Sequence, residues 1–493
     1  MALQYDLEQL LEELSQQCLA MKRGLAEKQR TGAIYASHPV ATDLESILSV
    51  REFWQKEPDP DIREQAARVY YSVVAQFIRM DLLLRDEALA QFMMEAGVRV
   101  NGRSVTLAEM QGWLLAEDDH DTRESLLVAS RPLVEKASIM KAAIWEGAAS
   151  ILQEDFGYRD HLHFYEEKKG LEVFPLAQEC LGLLLKTDQT YEQRLLPWAE
   201  ATLGKEASSV SHLHMMRLLQ LDPSPSGMAL GGVLPVVEKM SEVLGFSEAL
   251  RSRIRLDQEP RPGKSPLSRC VPLKVPQEIH VVLRSLGTLA DMEAALHELG
   301  HAFQLAHAQP SLPYPYRHLP RSYALSECFG FLMEGLIREP EFLTRHTGLS
   351  RQEAERVCSW NDSKRLYVVR RYAGKLLFAQ EFLSKGDWLD WSAYPRWLAR
   401  ATGFSHEPQE ALMDLEEELY CADYLKAWAG ETVLRRHLKE MFGPLWFESR
   451  RAGDYLKGLW AEGEKWDLEE LVEYVGRGPL GLDPLVDELL CEL

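Results

Sequence analysis

Two histidines flank a glutamate in the run His297-Glu298-Leu299-Gly300-His301. Residues four apart share one face of a helix, so both imidazoles can offer neutral nitrogens to a single ion at about 2.0–2.1 Å. Glu298 lies one step round that helix, beside the position a bound water would take, where a carboxylate can act as general base. The chemistry this pattern supports is zinc-assisted hydrolysis. Its flanks suit a helix: Ala294, Ala295, Leu296 and Leu299 are good helix formers, and Asp291 suits the N-terminal end of the dipole. Met292, Ala295, Leu296, Leu299 and Phe303 are apolar, so the helix is expected in the interior.

A catalytic zinc takes a third protein ligand and keeps one position for water. Two residues compete for that role. His307 completes the spacing of the metzincin motif, but that motif has glycine where this chain has Gln304. In an unbroken helix His307 would lie about 240° round from His301. Glu327 is the second candidate, on the apolar segment Ser322–Glu334, with Ser322 or Ser326 as its cap and Pro340 past its end. Glu327 and Glu334 are seven apart and share a face. Carboxylates on an apolar helix are costly to bury unless paired or bound to metal.

The elements that must hold these residues read as helices. Periodic apolar faces run through Asp6–Leu25, Ile62–Glu95, Leu107–Asp155, Ala177–Leu203 and Val236–Leu244. Turn signals separate them at Asn101-Gly102, Pro223–Gly227 and Glu259–Gly263. The last cluster divides the chain into an N-terminal helical region, 1–258, and a catalytic region, 259–493. Just after it come two short β-rich runs, Cys270–Val275 and Ile279–Leu283, split by Pro276 and closed by Gly287. A sheet edge beside a zinc helix can hold an extended peptide by strand addition. His212 and His214, two apart, do not share a helix face and read as loop or cap residues. His280 faces either the cleft or solvent.

Bulk properties narrow the function. The 493 residues exceed one small core, and 46% apolar with 27% charged is ordinary for a globular protein. A formal charge of −21 argues against nucleic acid and anionic membrane as partners. No apolar run reaches the roughly 20 residues of a membrane span, and the N-terminus lacks a secretory pattern. The 7 cysteines are scattered with no CxxC pair, which fits reduced thiols in the cytoplasm.

With its HELGH run and a downstream Glu-x6-Glu at Glu327 and Glu334, the sequence resembles the thimet oligopeptidase and oligoendopeptidase F family of zinc peptidases. The specific likeness covers roughly residues 265–435. It implies a mainly α fold in which two helical halves enclose a deep channel for short peptides, with a small sheet beside the zinc helix. It implies one zinc ion held by His297, His301 and Glu327, with Glu298 as general base. Glu334 would orient a ligand histidine through its other ring nitrogen. Thermolysin differs, carrying Asp where this chain has Phe331. The segment Leu419–Trp428 is similar to the family's tyrosine-bearing stretch, which makes Tyr420, or else Tyr424, the hydrogen-bond donor to the transition state. The family's histidine five residues before that tyrosine is here Leu415, amid Asp414 and Glu416–Glu418.

Three other readings stay open. A carboxypeptidase or dipeptidyl carboxypeptidase would need a cation for the substrate's C-terminal carboxylate, for which Arg321, Arg365, Arg370 and Arg371 are available. A peptide-binding protein would keep a degenerate or structural zinc site. An acidic helical interaction protein would carry the HExxH by chance.

Overall fold

The computed structural model describes residues 2–25, 30–219, 232–283 and 288–491. The turn cluster at 223–227 and Gly287 lie outside them. Helices dominate, each with a local reason for its ends. The N-terminal half contributes α1 (Ala2–Lys22), α2 (Pro60–Asp81), α3 (His120–Glu154) and α4 (His161–Lys169). Asp59 caps α2 by accepting from the backbone of Asp61 and Ile62, with Pro60 at the first helical position. Gly170, in the left-handed region, ends α4. The C-terminal half contributes α5 (Leu289–His307), α6 (Ala324–Glu334), α7 (Arg351–Lys385), α8 (Tyr420–Phe442) and α9 (Asp483–Cys491). A reciprocal capping box, Thr288 with Asp291, starts α5, and another, Ser350 with Glu353, starts α7.

Two small sheets interrupt the helices. β1 (Gly97–Val100) and β2 (Arg103–Thr106) form a hairpin around Asn101-Gly102, both residues at positive φ. The Asn101-Gly102 turn thus joins two paired strands rather than separating two helices. Val98, Val100 and Val105 supply the alternation that makes strands here. The second sheet has β3 (Ile254–Asp257), β5 (Glu278–Val282) and β4 (Arg269–Lys274) in the order β3-β5-β4. β3 runs parallel to β5, and β4 antiparallel to it. The Pro/Gly cluster at 259–263 is thus the connection from β3 to β4, and one apolar core continues across residue 258. His280 lies on the central strand β5, its ring 3.0 Å from Glu278.

α5 packs on β4 and β5 on one side and on α6 on the other, and α6 in turn packs on α8. Two cavities are lined by residues of both halves, and a third lies within the C-terminal half. One, of about 550 Å³, has Leu107, Met110 and Leu127 on one wall and Tyr372, Lys375 and Asp414 on the other. A second, of about 310 Å³, shares Met93 and Met413 with it. A small one, of about 70 Å³, shares Val368 and reaches Glu334. Among the described residues no helix is long and apolar enough to cross a membrane.

Candidate metal centre

His297 and His301 rise from α5 on one face, and their Nε2 atoms stand 3.1 Å apart. Glu327, in the first turn of α6, brings Oε2 to 3.2 Å from His297 Nε2 and 3.7 Å from His301 Nε2. Tetrahedral zinc with bonds of 2.0–2.1 Å places any two of its ligand atoms about 3.3 Å apart. The three observed separations bracket that value. Glu327 Oε2 is buried and accepts no hydrogen bond, an arrangement that costs free energy unless a cation sits there. Geometry and donor set therefore fit a divalent ion held by His297, His301 and Glu327.

Each imidazole is oriented through its other nitrogen. His297 Nδ1–H donates to Glu334 Oε2 at 2.9 Å, and His301 Nδ1–H donates to Ser326 Oγ at 2.9 Å. Both Nε2 lone pairs are then directed at the shared point. Burial works against a charged His297, but the close negative charges of Glu327 and Glu334 raise its pKa well above the usual value. Burial lowers that of His301. Burial also disfavours ionised Glu327, yet the two histidines hold its pKa at about 2. The pocket is built to attract positive charge.

Glu298 is buried beside the ligands, and its Oε2 accepts the backbone N–H of Cys270 at 2.6 Å. Cys270 lies on the edge strand β4, so the sheet fixes this carboxylate. Tyr420 opens α8, and its hydroxyl donates to Glu327 Oε1 at 2.5 Å. Tyr424, one turn on, instead joins an aromatic wall with Phe331 and Tyr372, at centroid distances of 5.2 and 5.0 Å. Phe331 also lies 5.1 Å from the His297 ring.

Glu327 and His307 point to different places. His307 turns its Nδ1 to the Phe303 carbonyl at 2.8 Å and packs by Phe246 and Trp460, away from the other histidines. His212 and His214, read as loop or cap residues, are buried in the first turn of a short helix, His212–Leu218. His212 belongs to the other His2Glu set among the described residues, with His406 and Glu410. There the two rings stack with centroids 4.1 Å apart and planes at 13°, so their lone pairs run side by side rather than converge.

Four features escaped the sequence reading. Ser326 stands inside α6 rather than capping it; Ser322 Oγ accepts the Ala324 N–H at 3.2 Å instead. The Cys270 amide carried no sequence signal. Tyr323 places its ring 5.2 Å from Tyr420. Gly300 and Gly330 let α5 and α6 touch: a Cβ on Gly330 would meet both imidazoles at 3.0 Å. Glycine inside a helix costs about 1 kcal/mol relative to alanine, and that cost was the available clue.

No protein-family model and no curated protein matches the sequence. Solved structures do match in fold. PZ peptidase A, solved with an inhibitor, superposes with a TM-score of 0.69 at 14% identity, over 99% of this chain and 95% of that one. A structure described as an oligoendopeptidase F from Bacillus anthracis gives 0.68 at 14% identity, over 98% and 88%. A carboxypeptidase from Pyrococcus furiosus gives 0.59 at 14%, over 100% and 99%. The chain shares its whole fold with these peptidases, and the resemblance read from the motif is borne out at that level.

Proposed function

We propose that the protein is a zinc metallopeptidase that cleaves short peptides internally. The observation that carries this reading is the convergence of His297 Nε2, His301 Nε2 and Glu327 Oε2 at zinc-ligand separations, with Glu298 beside them. One bound zinc would supply Lewis acidity and lower the pKa of its water toward ~7. Glu298 takes a proton from the attacking water and returns it to the leaving amine. Its Oε2 is fixed by the Cys270 amide, which leaves Oε1 to carry the proton. Glu334 and Ser326 keep the imidazoles in the metal-binding tautomer. Tyr420, whose hydroxyl reaches the ligand set, hydrogen-bonds the developing oxyanion by turning its one proton away from Glu327 Oε1. The enclosed cavities support peptide substrates over folded proteins. Seven free thiols support a reducing compartment, the cytoplasm.

The arginines offered for a carboxypeptidase clamp are engaged elsewhere. Arg321 pairs with Glu64 at 3.1 Å and Arg371 with Asp414 at 2.7 Å. Arg370 pairs with Asp188, and Arg365 with Glu431, each at 3.0 Å. That favours internal cleavage over removal of C-terminal residues. The test is to incubate zinc-loaded protein with a peptide library, half of it C-terminally amidated, with and without chelator, and to read products by mass spectrometry. Chelator-sensitive cleavage of blocked and free peptides alike is expected. Cleavage of free peptides alone would turn the reading to a carboxypeptidase, and no cleavage would overturn it.

A further inference from the structure

The helix that carries Tyr420 begins with a strained turn. Glu418 (φ 56°) and Leu419 (φ 53°) are consecutive non-glycine residues in the left-handed region, a conformation L side chains disfavour. Such strain persists where surrounding contacts over-determine it. Here the contacts are cations brought by other helices onto the acidic run at 414–418. Lys168, at the end of α4, sets Nζ 2.6 Å from Glu418 Oε2, and both side chains are largely buried. Arg79 on α2 lies 3.6 Å from Glu418 Oε1. Lys375 on α7 holds Glu416 at 3.0 Å, and Lys141 on α3 reaches the Leu415 carbonyl at 3.4 Å. One turn into α8, Lys169 pairs with Asp423 at 2.5 Å, and Asp423 accepts from Ser322 at 2.7 Å.

These contacts are not equivalent. Arg79 is half exposed, so solvent screens its pull. Lys169 and Asp423 join α4 to the body of α8, and Ser322 ties Asp423 to the start of α6. Lys168 alone among them meets a strained residue from inside the protein. Burial disfavours charge on Glu418, yet Lys168 and Arg79 hold its pKa at about 2, so Glu418 stays ionised, while burial lowers the pKa of Lys168.

We propose that Lys168 is a positioning residue for catalysis: its buried ion pair with Glu418 holds the left-handed turn that sets the Tyr420 hydroxyl against Glu327. The inference rests on the reading of Tyr420 as oxyanion donor. It gives the N-terminal half a part in the reaction, since α4 belongs to that half and Tyr420 to the other. It also gives a use to the acidic run around Leu415, where the sequence departs from the family pattern.

The experiment uses the full-length, zinc-loaded protein. Lys168→Met, Lys168→Arg and Glu418→Gln are made alone and with Tyr420→Phe. The readouts are kcat, KM and amide hydrogen exchange over residues 415–424. Lys168→Met is expected to lower kcat by about tenfold or more with KM nearly unchanged. Exchange should accelerate across 415–424 and not elsewhere. In the Tyr420→Phe background the same substitution should cost less than about threefold. Lys168→Arg should recover most of the loss, and Glu418→Gln should reproduce it from the other side of the pair. Equal losses in both backgrounds, or unchanged exchange, overturn the proposal. Failure of the Tyr420 reading shows separately, as wild-type kcat in Tyr420→Phe alone, and the proposal then falls with it.

Discussion

Replacing Gly300 with alanine tests how closely α5 and α6 must approach for the ligand triad to exist. A Cβ on Gly300 would lie 2.4 Å from the Phe329 carbonyl oxygen and 2.7 Å from Gly330 Cα, where ordinary contact begins at 3.4 Å. The shortfall is about 1 Å against backbone on the facing helix, so no side-chain rotation relieves it. The helices must part. His297 and His301 ride on α5 and Glu327 on α6, so the present 3.2 and 3.7 Å separations widen together. Most of an ångström added takes both to about 4 Å or beyond, past the ~3.3 Å a tetrahedral zinc needs, while metal–ligand distances tolerate only about ±0.2 Å. Zinc affinity should fall at least about 100-fold, with about 1–3 kcal/mol of stability lost to overpacking. Competition with a chromophoric chelator measures the first, and denaturant unfolding the second. Gly182→Ala is the control: this helical glycine has no atom within 4 Å of its would-be Cβ, and alanine there should gain about 0.5–1 kcal/mol. Wild-type zinc affinity in Gly300→Ala would refute the close-approach argument.

Glu298→Gln should keep its zinc and lose turnover by about 10²–10⁴-fold, seen as full metal content with kcat near background; retained peptidase activity would remove Glu298 from the mechanism. Glu334→Ala and Ser326→Ala should each weaken zinc binding by about 10–100-fold, Glu334 more because its hydrogen bond is charge-assisted, whereas His307→Ala should leave binding unchanged. Chelator titration of the three variants orders them, and a loss in His307→Ala would return the third-ligand question to that residue. Glu464 offers a pH test: burial pushes its pKa up to about 7, opposed by Arg68 and the hydrogen bond from Gln304. A raised carboxyl pKa gives stability that is full below the ordinary carboxylate value and is lost as pH rises through about 7, here up to about 3 kcal/mol. Glu464→Gln should therefore match the wild type near pH 4 and exceed it near pH 8 in thermal unfolding. Glu410, also near 7, leaves some slope in both proteins. An equal difference at the two pH values would contradict the assignment.

What the sequence determined by itself was the part written in short-range spacing. Helical periodicity puts residues four and seven apart on one face whatever the helix packs against, so His297 with His301, and Glu327 with Glu334, were legible as pairs. The mainly α class and the strands near residue 280 followed from the same local patterns. The hairpin at 97–106 was not legible, because two four-residue strands between long helical runs leave little periodicity to read.

Tertiary structure decided everything that depended on which faces meet. The direction of His307 follows from α5 continuing unbroken to that residue. Tyr420 was the better match to the family stretch and Tyr424 the second, and the packing of α8 on α6 sends the hydroxyl of the first to Glu327 and the ring of the second into an aromatic wall. Ser326 acquired a partner because α6 crosses α5 at Gly300 and Gly330. The arginines that looked free found carboxylates far along the chain. The HELGH run named the chemistry through the geometry of one helix; the approach of Glu327 to the two histidines, the partners that orient them and the turn beneath Tyr420 come from segments brought together over long sequence distances, and no local pattern encodes such contacts.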